Sequence, residues 1–394
     1  MRTPDGRGWL TYCLNIHPAE SWAAVRAALL GPTRAIKARV CADAPFAVGL
    51  RFSAATVRDL AEPAARADLV RILAEEDYRA VTVNGFPYGP FHDTRVKQDV
   101  YRPDWRSAER LAYTNALADL MAAIAPDGET VSLSTVPGAF RPRGVGAEAE
   151  IAANYLRAAA HCARLRERSG VEVAIAIEPE PCCLLETVAE SVAFFEAHLF
   201  CDRAVGVMAD LAGLSRGEAA AALPRHLGLC YDVCHAAVEF EDPAASIAAL
   251  GAAGIPIHKL QLSSALRIAR VDAHARAALA AFDEPTYLHQ VVARRGAELT
   301  RIADLPEALG RGAAADGEEW RVHFHLPIFV RELPDFDTTQ DFLTRVLALH
   351  RAAPLSPHLE VETYTWDVLP EALTGDGLEA AVARELDWVK ERLA

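Results

Sequence analysis

Acidic and imidazole side chains directly follow several apolar runs of this sequence. Glu178 comes after the run AIAI, Asp232 follows the run LGLCY, and His235 comes three residues later. Glu362 lies near the end of a later run, HLEVE. Carboxylate oxygens and imidazole nitrogens are common ligands of divalent ions such as zinc, manganese and iron. This set therefore predicts chemistry that is assisted by a bound metal ion.

Each of these residues also has an ordinary explanation. Glu178 taken alone could be a loop acid, and Asp232 could be the N-cap of the helix that follows it. What favours a shared site is that Glu178, Asp232 and Glu362 end three different apolar runs. If those runs are parallel strands of one barrel, their carboxyl ends meet on one face, where barrel enzymes carry their chemistry.

Two later segments add polar residues to this set. Strand alternation places Lys259 and Gln261 on one face, expected to be the interior, and His258 on the face that packs against helices. His323 and His325 lie two residues apart and would share a strand face. The two histidines fit either a pair of ligands or a pair packed beside apolar side chains.

The last apolar run carries two acids with the same alternation. Glu360 and Glu362 share a face, and Glu362 is nearer the end of the run. Glu362 is therefore the better site candidate, whereas Glu360 is expected to lie one layer deeper or to be a structural partner.

Candidates for binding a substrate follow the early strands and recur in one later segment. The loop 86–92 is aromatic and rich in turn residues, which suits the wall of a pocket or simply a well-packed turn. Residues 287–290 could form a lid. The substrate-binding candidates are His17, Asn84, His92, Tyr287, His289 and His323.

Apolar runs alternate with Ala-rich helical segments along the whole chain. Nine runs have the composition of buried strands: 10–16, 46–52, 80–84, 130–136, 172–178, 227–232, 256–262, 320–326 and 358–364. Helical patterns cover 19–30, 55–76, 106–124, 145–168, 187–198, 243–252, 338–352 and 377–393. This alternation predicts an α/β fold, either a (β/α)₈ TIM barrel or an open doubly wound sheet.

The barrel is the preferred prediction. An open nucleotide-binding sheet should carry a glycine fingerprint after its first strand, and none is present, nor is a phosphate-binding P-loop sequence. Insertions near 202–225 and 265–319 account for the length beyond an ordinary barrel. The run 320–326 would then be an extra strand or part of a loop. One barrel domain spanning 1–394 is expected.

Composition limits the class of partner. The chain has 394 residues, 54 acidic and 40 basic, for a net charge of −14, and 52% of its residues are hydrophobic. This is a globular composition whose charge opposes nucleic acid as the main partner. The sequence predicts no signal peptide and no membrane insertion. Eight cysteines without a disulfide pattern favour reduced thiols in the cytoplasm.

The order of these residues, with the segment CYDVCHAA, resembles the xylose isomerase-like TIM-barrel superfamily of sugar isomerases, epimerases and endonuclease IV-type enzymes. The resemblance implies that Glu178, Asp232 and Glu362 are metal carboxylates. Gln261 stands where the usual ligand is a histidine, so the metal and its affinity differ from the pattern, and His325 could compensate. His235 matches a position that is a ligand in some members and a substrate contact in others.

A narrower resemblance covers nearly the whole chain. The segments YCLNIHPAESW, VNGFPYGPFH, CYDVCHAA, KLQLSS, EPTYLHQ and HFHLPIF are similar to the EboE-type metabolite traffic proteins. These are bacterial members of the superfamily that are encoded with a prenyltransferase-like membrane protein. The resemblance implies a fold and a metal site in a secondary-metabolite pathway, but it implies no substrate.

The resemblance also limits the number of ions. The trinuclear site of endonuclease-type members needs histidines after the third and fourth strands, where only His92 is available. We therefore expect one divalent ion, zinc or manganese in the first place and magnesium or iron in the second, and no cleavage of DNA.

The function expected from these residues is that of a metal-dependent isomerase or epimerase acting on a small polyhydroxylated or sugar-like carbonyl compound. Glu178 and Glu362 would serve as ligand and base, and Lys259 and His235 would polarise or position the carbonyl. The alternatives are a metal-dependent hydrolase or lyase at the same site, and a metabolite carrier without catalysis. Superfamily members often form dimers or tetramers, so the sequence leaves open whether this protein forms a homo-oligomer.

Overall fold

Eight parallel strands form the centre of the structure, a computed structural model that describes residues 1–92, 95–126, 128–369 and 377–394. They are β1 (Trp9–Tyr12), β2 (Phe46–Arg51), β3 (Tyr78–Asn84), β4 (Thr130–Thr135), β5 (Glu172–Ile177), β6 (Leu227–Asp232), β7 (Ile257–Leu262) and β13 (His358–Val361). Their order around the sheet is β1-β13-β7-β6-β5-β4-β3-β2. Nearly all their residues are buried, because helices cover the outside and side chains fill the inside.

The join between β1 and β2 nearly closes this sheet into a barrel. Cys13 forms an isolated parallel bridge with Gly49. The hydroxyl of Thr11 donates to the Ala47 carbonyl oxygen at 2.7 Å and accepts from the Gly49 amide at 3.1 Å. Gly49 is required there, because a Cβ would lie 2.5 Å from the carbonyl oxygen of Tyr12. The prediction of a (β/α)₈ barrel is confirmed.

Helices return the chain from the end of each barrel strand to the start of the next. They are α1 (Trp22–Ala28), α2 (Arg34–Val40), α3 (Ala54–Asp59), α4 (Pro63–Glu75), α5 (Ala108–Ile124), α6 (Arg141–Gly144), α7 (Glu148–Ser169), α8 (Val188–Phe194), α9 (Asp202–Ala212), α10 (Arg216–His226), α11 (Val233–Val238), α12 (Pro243–Ala252), α13 (Ala273–Leu279), α14 (Leu305–Gly310), α15 (Gln340–Ala352) and α16 (Leu378–Leu393). Helices α9 and α10 occupy the predicted insertion near 202–225. Among the described residues, no helix combines the length and apolarity that a membrane span requires.

A second sheet lies between β7 and β13 in the chain. Its strands are β8 (Leu266–Ile268), β9 (Val291–Arg295), β10 (Glu298–Ile302), β11 (Glu319–Val322) and β12 (Asp337–Thr338). They pair antiparallel in the order β10-β9-β11-β8-β12. The insertion was predicted, but its strands β8, β9 and β10 were not. The alternative of an extra strand at 320–326 fits β11.

Several predicted boundaries differ from the structure for local reasons. The predicted helix 55–76 is two helices, because Pro63 begins α4 and cannot continue α3. The predicted strand 10–16 ends at Tyr12, and a 3₁₀ turn at Leu14–Ile16 follows it. Helix α2 was not predicted. All eight cysteines are free, in agreement with the expectation of reduced thiols.

Candidate functional site

A cavity of about 530 Å³ opens at the carboxyl ends of the barrel strands. Its floor includes Glu178 after β5, Glu362 after β13 and Asn84 at the end of β3. His235 from α11 and His323 from the segment after β11 line the same cavity. The structure therefore brings together five residues that the sequence singled out on five separate segments.

Three acids meet beside this floor. One carboxylate oxygen from each of Glu178, Asp232 and Glu362 lies within 4.8 Å of the other two, and all three residues are buried. We call these residues the carboxylate cluster. Three carboxylates cannot all be ionised at such distances without a compensating cation or proton. The cluster therefore has the composition and spacing of a divalent-cation site.

Asp232 performs two tasks at once. Its Oδ1 accepts from the backbone amide of His235 at 2.9 Å, which caps α11, and from the hydroxyl of Ser263 at 2.8 Å. Its Oδ2 has no hydrogen-bond partner among the described residues. Asp232 can therefore be both the N-cap of α11 and a metal ligand, because the two roles use different oxygens.

Two amides hold the carboxylate of Glu362. Asn15 donates to Glu362 Oε1 at 2.6 Å, and Asn84 donates to the same oxygen at 3.0 Å. These bonds fix the orientation of the carboxylate. Asn84 was predicted as a substrate contact, and here it is also a hydrogen-bond donor to a predicted ligand.

Unpartnered buried atoms provide the test of whether the residues fit a metal ion. Glu178 Oε2, Asp232 Oδ2 and both side-chain amide atoms of Gln261 are buried without a hydrogen-bond partner in the described part of the chain. Buried polar atoms are rarely left in this state. A cation would satisfy the unpartnered oxygens of Glu178 and Asp232 together, since these two residues belong to one cluster. The donor set therefore fits a divalent ion that prefers oxygen ligands.

Burial and mutual repulsion both act on these acids. Burial raises the pKa of Glu178 well above its ordinary value, and the charges of Glu362 and Asp232 raise it further. Burial also raises the pKa of Glu362, to about 7, with Asp232 as the next cause. Both acids are therefore poised to hold a proton when no cation is bound.

Three imidazole rings form a second cluster next to the first. The Nε2 of His323 lies 3.2 Å from the Nε2 of His235 and 3.1 Å from the Nε2 of His325. We call these residues the histidine cluster. Asp232 of the carboxylate cluster also lies next to the histidine cluster, because one of its oxygens lies within 4.8 Å of ring nitrogens of His235 and His325.

The hydrogen-bond network assigns the same tautomer to two of these rings without ambiguity. His235 Nδ1 faces the carbonyl oxygen of Pro179 at 2.8 Å, and His325 Nδ1 faces the carbonyl oxygen of Glu362 at 2.6 Å. A carbonyl oxygen only accepts, so each Nδ1 carries the hydrogen. In the neutral rings, both Nε2 atoms then present a lone pair to the centre of the cluster.

The side-chain amide of Gln290 assigns the tautomer of the third ring, His323. The Nδ1 of His323 lies 2.7 Å from Oε1 of Gln290. The Nε2 of Gln290 donates to Tyr101, Glu180 and the carbonyl oxygen of Pro181, so Oε1 is the atom turned towards His323. In the neutral rings, the Nε2 of His323 thus presents its lone pair next to the Nε2 atoms of both His235 and His325, and neutral imidazole nitrogens are ligands that zinc prefers.

Burial and the neighbouring carboxylates shift the pKa values of these three rings in opposite directions. Burial lowers the pKa of His325 to about 4 and that of His323 well below its ordinary value. Burial also acts to lower the pKa of His235, but the carboxylates of Asp232 and Glu180 outweigh it and raise that pKa.

Lys259 lies inside the barrel, away from the cavity lining. Its Nζ is 2.6 Å from Glu360 Oε1, and neither side chain is exposed. Burial acts to lower the pKa of Lys259, but Glu360 outweighs it and the pKa is raised. The two residues form an internal ion pair, which fits the expectation that Glu360 is a structural partner in a deeper layer. His258 contacts the carbonyl oxygen of Pro224 in α10, as expected for the outer face.

The remaining substrate candidates have different positions. Tyr287 lines the cavity, and its hydroxyl lies 3.0 Å from Nδ1 of His92, which itself contacts the carbonyl oxygen of Asn15. His17 contacts the hydroxyl of Tyr12 at 3.1 Å and does not line the cavity.

His289 contacts the backbone of the histidine cluster and does not line the cavity. It is fully buried, with one ring nitrogen 2.9 Å from the carbonyl oxygen of His323 and the other 2.9 Å from Glu284. His17, His92 and His289 do not line the cavity in the described structure, so a direct contact with a substrate has no geometric support for these three residues.

Sequence reasoning missed two residues of the site. Glu180 lines the cavity and lies within 4.8 Å of ring nitrogens of His235 and His323. Its Oε1 accepts from the hydroxyl of Tyr101 at 2.7 Å. Asn15 was also missed. The signal for Glu180 was its place two residues after Glu178, and the signal for Asn15 was its place just after the first barrel strand.

No protein-family model and no curated protein sequence matches this chain. Solved structures do match. A xylose isomerase-like TIM-barrel protein from Mycobacterium smegmatis, in complex with magnesium, has 10% identity and a TM-score of 0.52, covering 100% of this chain and 98% of its own. The protein therefore has a xylose isomerase-like TIM-barrel fold.

Two further structures are similar at lower scores. A xylose isomerase domain protein from Planctomyces limnophilus has 11% identity and a TM-score of 0.49, covering 97% of both chains. The IOLI protein with a bound zinc atom has 10% identity and a TM-score of 0.47, covering 98% of this chain and 97% of its own.

Proposed function

We propose that this protein is a metal-dependent isomerase or epimerase that acts on a small polyhydroxylated or sugar-like carbonyl compound. The observation that carries the proposal is the carboxylate cluster, in which one oxygen each of Glu178 and Asp232 is buried without a hydrogen-bond partner among the described residues. The six sequence segments described above support a narrower assignment to the EboE-type proteins of bacterial secondary metabolism.

The carboxylate cluster would hold one divalent ion. Its carboxylates from Glu178, Asp232 and Glu362, with the amide oxygen of Gln261, form an all-oxygen set that suits manganese or magnesium. The histidine cluster offers a second position whose nitrogens suit zinc. His325 belongs to this second position, so its predicted role as a replacement ligand for Gln261 stays a prediction.

We also infer that the barrel and the second sheet form one functional unit. His323 and His325 follow β11 of the second sheet, yet their ring nitrogens meet His235 from the barrel. A site completed by both parts of the chain supports a single domain.

The bound ion would supply positive charge next to the carbonyl oxygen and so lower the cost of removing a proton from the neighbouring carbon. The side chains around the cavity would accept and return the proton. Glu178 and Glu362 face the cavity floor, and either carboxylate can accept that proton. Glu180 lies towards the histidine cluster, where its raised pKa, caused first by burial, allows it to return a proton to the opposite face.

A metal-dependent hydrolase or lyase is the second candidate. The observation that favours it is the histidine cluster, whose adjacent Nε2 atoms are of the ligand type with which zinc activates water. The same carboxylates would then position the water or assist the loss of a leaving group.

Exchange of hydrogen for deuterium tests the proposed chemistry before the substrate is known. Protein loaded with manganese or zinc is incubated in deuterated water with D-fructose, D-tagatose and 2-hydroxyacetophenone, and proton NMR follows the hydrogen beside each carbonyl. We expect exchange on at least one compound, and its loss in Glu178→Gln. Glu172→Gln is the matched control, since Glu172 lies at the opposite end of β5.

The same spectra separate the alternatives. A product with a new double bond would favour the lyase. Exchange that is undiminished in Glu178→Gln would remove Glu178 from the mechanism. Metal-loaded protein that binds these compounds without exchange would favour the carrier.

A further inference from the structure

We propose that the substrate has two unlike ends: a head with neighbouring oxygens that reaches the clusters on the cavity floor, and an uncharged apolar or aromatic body that fills the outer cavity. This inference rests on the proposed function, because it takes the carboxylate cluster as the place where the head binds. It goes beyond that function by specifying the part of the substrate that does not react.

The outer wall of the cavity is apolar. Six of its lining residues have side chains without any polar atom: Phe86, Pro87, Phe91, Val96, Val100 and Leu288. These residues come from two segments of the loop after β3 and from the segment before β9, which contact each other through the amide of Val96 and the carbonyl oxygen of Thr286. A ligand body beside these segments therefore meets mainly carbon atoms.

Two of the three tyrosines that line the cavity, Tyr101 and Tyr287, have hydroxyls that already bond to other side chains. The hydroxyl of Tyr101 is bonded to Glu180 at 2.7 Å, and that of Tyr287 to His92 at 3.0 Å. The ring of Tyr287 packs against Tyr364 and Phe91, with ring centres 5.0 and 5.1 Å apart. Such a cluster of aromatic rings favours a flat or aliphatic ligand body over a hydroxylated one.

Among the described residues that line the cavity, none offers an unpaired Lys or Arg side chain to a phosphate group. Lys97 is the one Lys or Arg side chain among the described residues that line it. Its Nζ is bound to Asp304 Oδ2 at 2.8 Å and to the carbonyl oxygen of Glu284 at 3.2 Å. The floor is acidic, with Glu178, Glu180 and Glu362. Apart from an ion bound at the carboxylate cluster, a phosphate would therefore meet like charges and no cationic partner among the described lining residues.

These features together disfavour a phosphate group or hydroxyls on the part of the substrate that lies against the apolar wall, and they leave the floor for a hydroxylated carbonyl head. A sugar carries hydroxyls on every side, and those against the apolar wall would lose their bonds to water without replacement. A ligand whose oxygens lie at one end keeps all of them on the polar floor.

Hydroxamic acids provide a test, because their two oxygens imitate a head with neighbouring oxygens and bind divalent ions. Acetohydroxamic acid carries a methyl group, and benzohydroxamic acid carries a phenyl group on the same head. Calorimetry with zinc-loaded protein measures the dissociation constant of each. We expect benzohydroxamic acid to bind about tenfold more tightly or better, because the phenyl ring leaves water for the apolar wall.

Variants assign that gain to the wall. Phe91→Ser is expected to remove most of the preference and to leave the affinity for acetohydroxamic acid nearly unchanged. Val100→Asn, at a partly exposed position, tests the same wall with less risk to folding. Val145→Ser is the control, because Val145 is an apolar residue that is 65% exposed and lies outside the cavity lining.

The outcomes separate this inference from the proposed function. Equal binding of the two hydroxamic acids, or tighter binding of fructose 6-phosphate than of fructose in competition, overturns the inference alone. Failure of both acids to bind zinc-loaded protein contradicts the proposed function. In that case saturation-transfer NMR of metal-free protein with benzyl alcohol decides the inference: a signal that Phe91→Ser removes supports an apolar body, and no signal overturns it.

Discussion

The Nε2 atoms of His235 and His323 lie 3.2 Å apart, while the Nδ1 of each ring faces an oxygen acceptor. Two neutral rings held in this way would point lone pairs at each other. The arrangement becomes favourable when a cation, either a proton or a metal ion, lies between the two nitrogens. The carbonyl oxygen of Pro179 and the amide oxygen of Gln290 thus hold both rings in the tautomer whose Nε2 can bind a cation.

The histidine cluster leads to a prediction about metal content. Removing one ring by His323→Ala is expected to lower bound zinc by about one equivalent, because two nitrogen ligands hold zinc more weakly than three. Mass spectrometry of the purified protein measures the zinc, and cobalt substitution gives an independent optical signal. The control is His274→Ala, since His274 is exposed and pairs only with Asp335. Unchanged zinc and an unchanged cobalt spectrum would contradict a metal site at the histidine cluster.

The buried pair of Lys259 and Glu360 leads to a prediction about stability. Lys259→Met is expected to cost roughly 3–5 kcal/mol, because it leaves an uncompensated carboxylate inside the barrel. Replacing both residues by methionine is expected to recover much of that loss. Thermal unfolding of the three proteins measures the difference, and Lys390→Met, at an exposed pair with Asp387, should change stability by about 1 kcal/mol or less.

The same variants test the catalytic role predicted for Lys259. If Lys259 acts only within its ion pair, the double methionine variant should retain metal binding and deuterium exchange. A folded double variant that binds metal but catalyses no exchange would instead show that Lys259 acts on the substrate.

Glu385 in α16 leads to a prediction about pH. Its Oε1 accepts from the hydroxyl of Thr363 at 2.7 Å and from the amide of Ile328 at 3.1 Å, so it joins the segments that follow Glu362 and His325. Burial raises the pKa of Glu385 to about 7, although these two bonds oppose the shift. The folded protein thus favours the protonated acid, whereas the unfolded chain loses that proton near pH 4.5.

The sign of the effect follows from this difference. The folded state loses stability as the pH rises from about 4.5 to about 7, by up to about 3 kcal/mol for this shift. Glu385→Gln keeps the two bonds and has no proton to lose. We expect the variant to match the parent at pH 5 and to have a higher Tm at pH 8. A Tm difference that is the same at both pH values, or that also appears in the exposed control Glu391→Gln, would contradict this explanation.

The barrel and its acids could be predicted because they follow from local pattern. Parallel strands covered on both faces are continuous apolar runs, and an acid directly after such a run must leave the core at the strand end. This reasoning located Glu178, Asp232 and Glu362 without knowledge of which strands are neighbours. The structure then placed them together because the carboxyl ends of all eight strands lie on one face.

Other features depend on contacts between distant segments and could not be predicted. Strand β8 has three residues and β12 has two, too few for a periodic pattern. The alternation correctly placed Lys259 in the interior, but it could not show that Glu360 would neutralise it. The tautomers of the histidine cluster depend on Gln290 and Pro179, which lie 33 and 56 residues away from their partners.

The central claim is that the carboxylate cluster binds a divalent metal ion. Elemental analysis of protein purified without added metal and without a His-tag tests it most directly, in parallel with the double variant Glu178→Ala/Glu362→Ala. We predict at least one equivalent of zinc, manganese, magnesium or iron in the parent protein, and one equivalent less in the double variant. A parent protein without metal, even after reconstitution with zinc and manganese, would contradict the account.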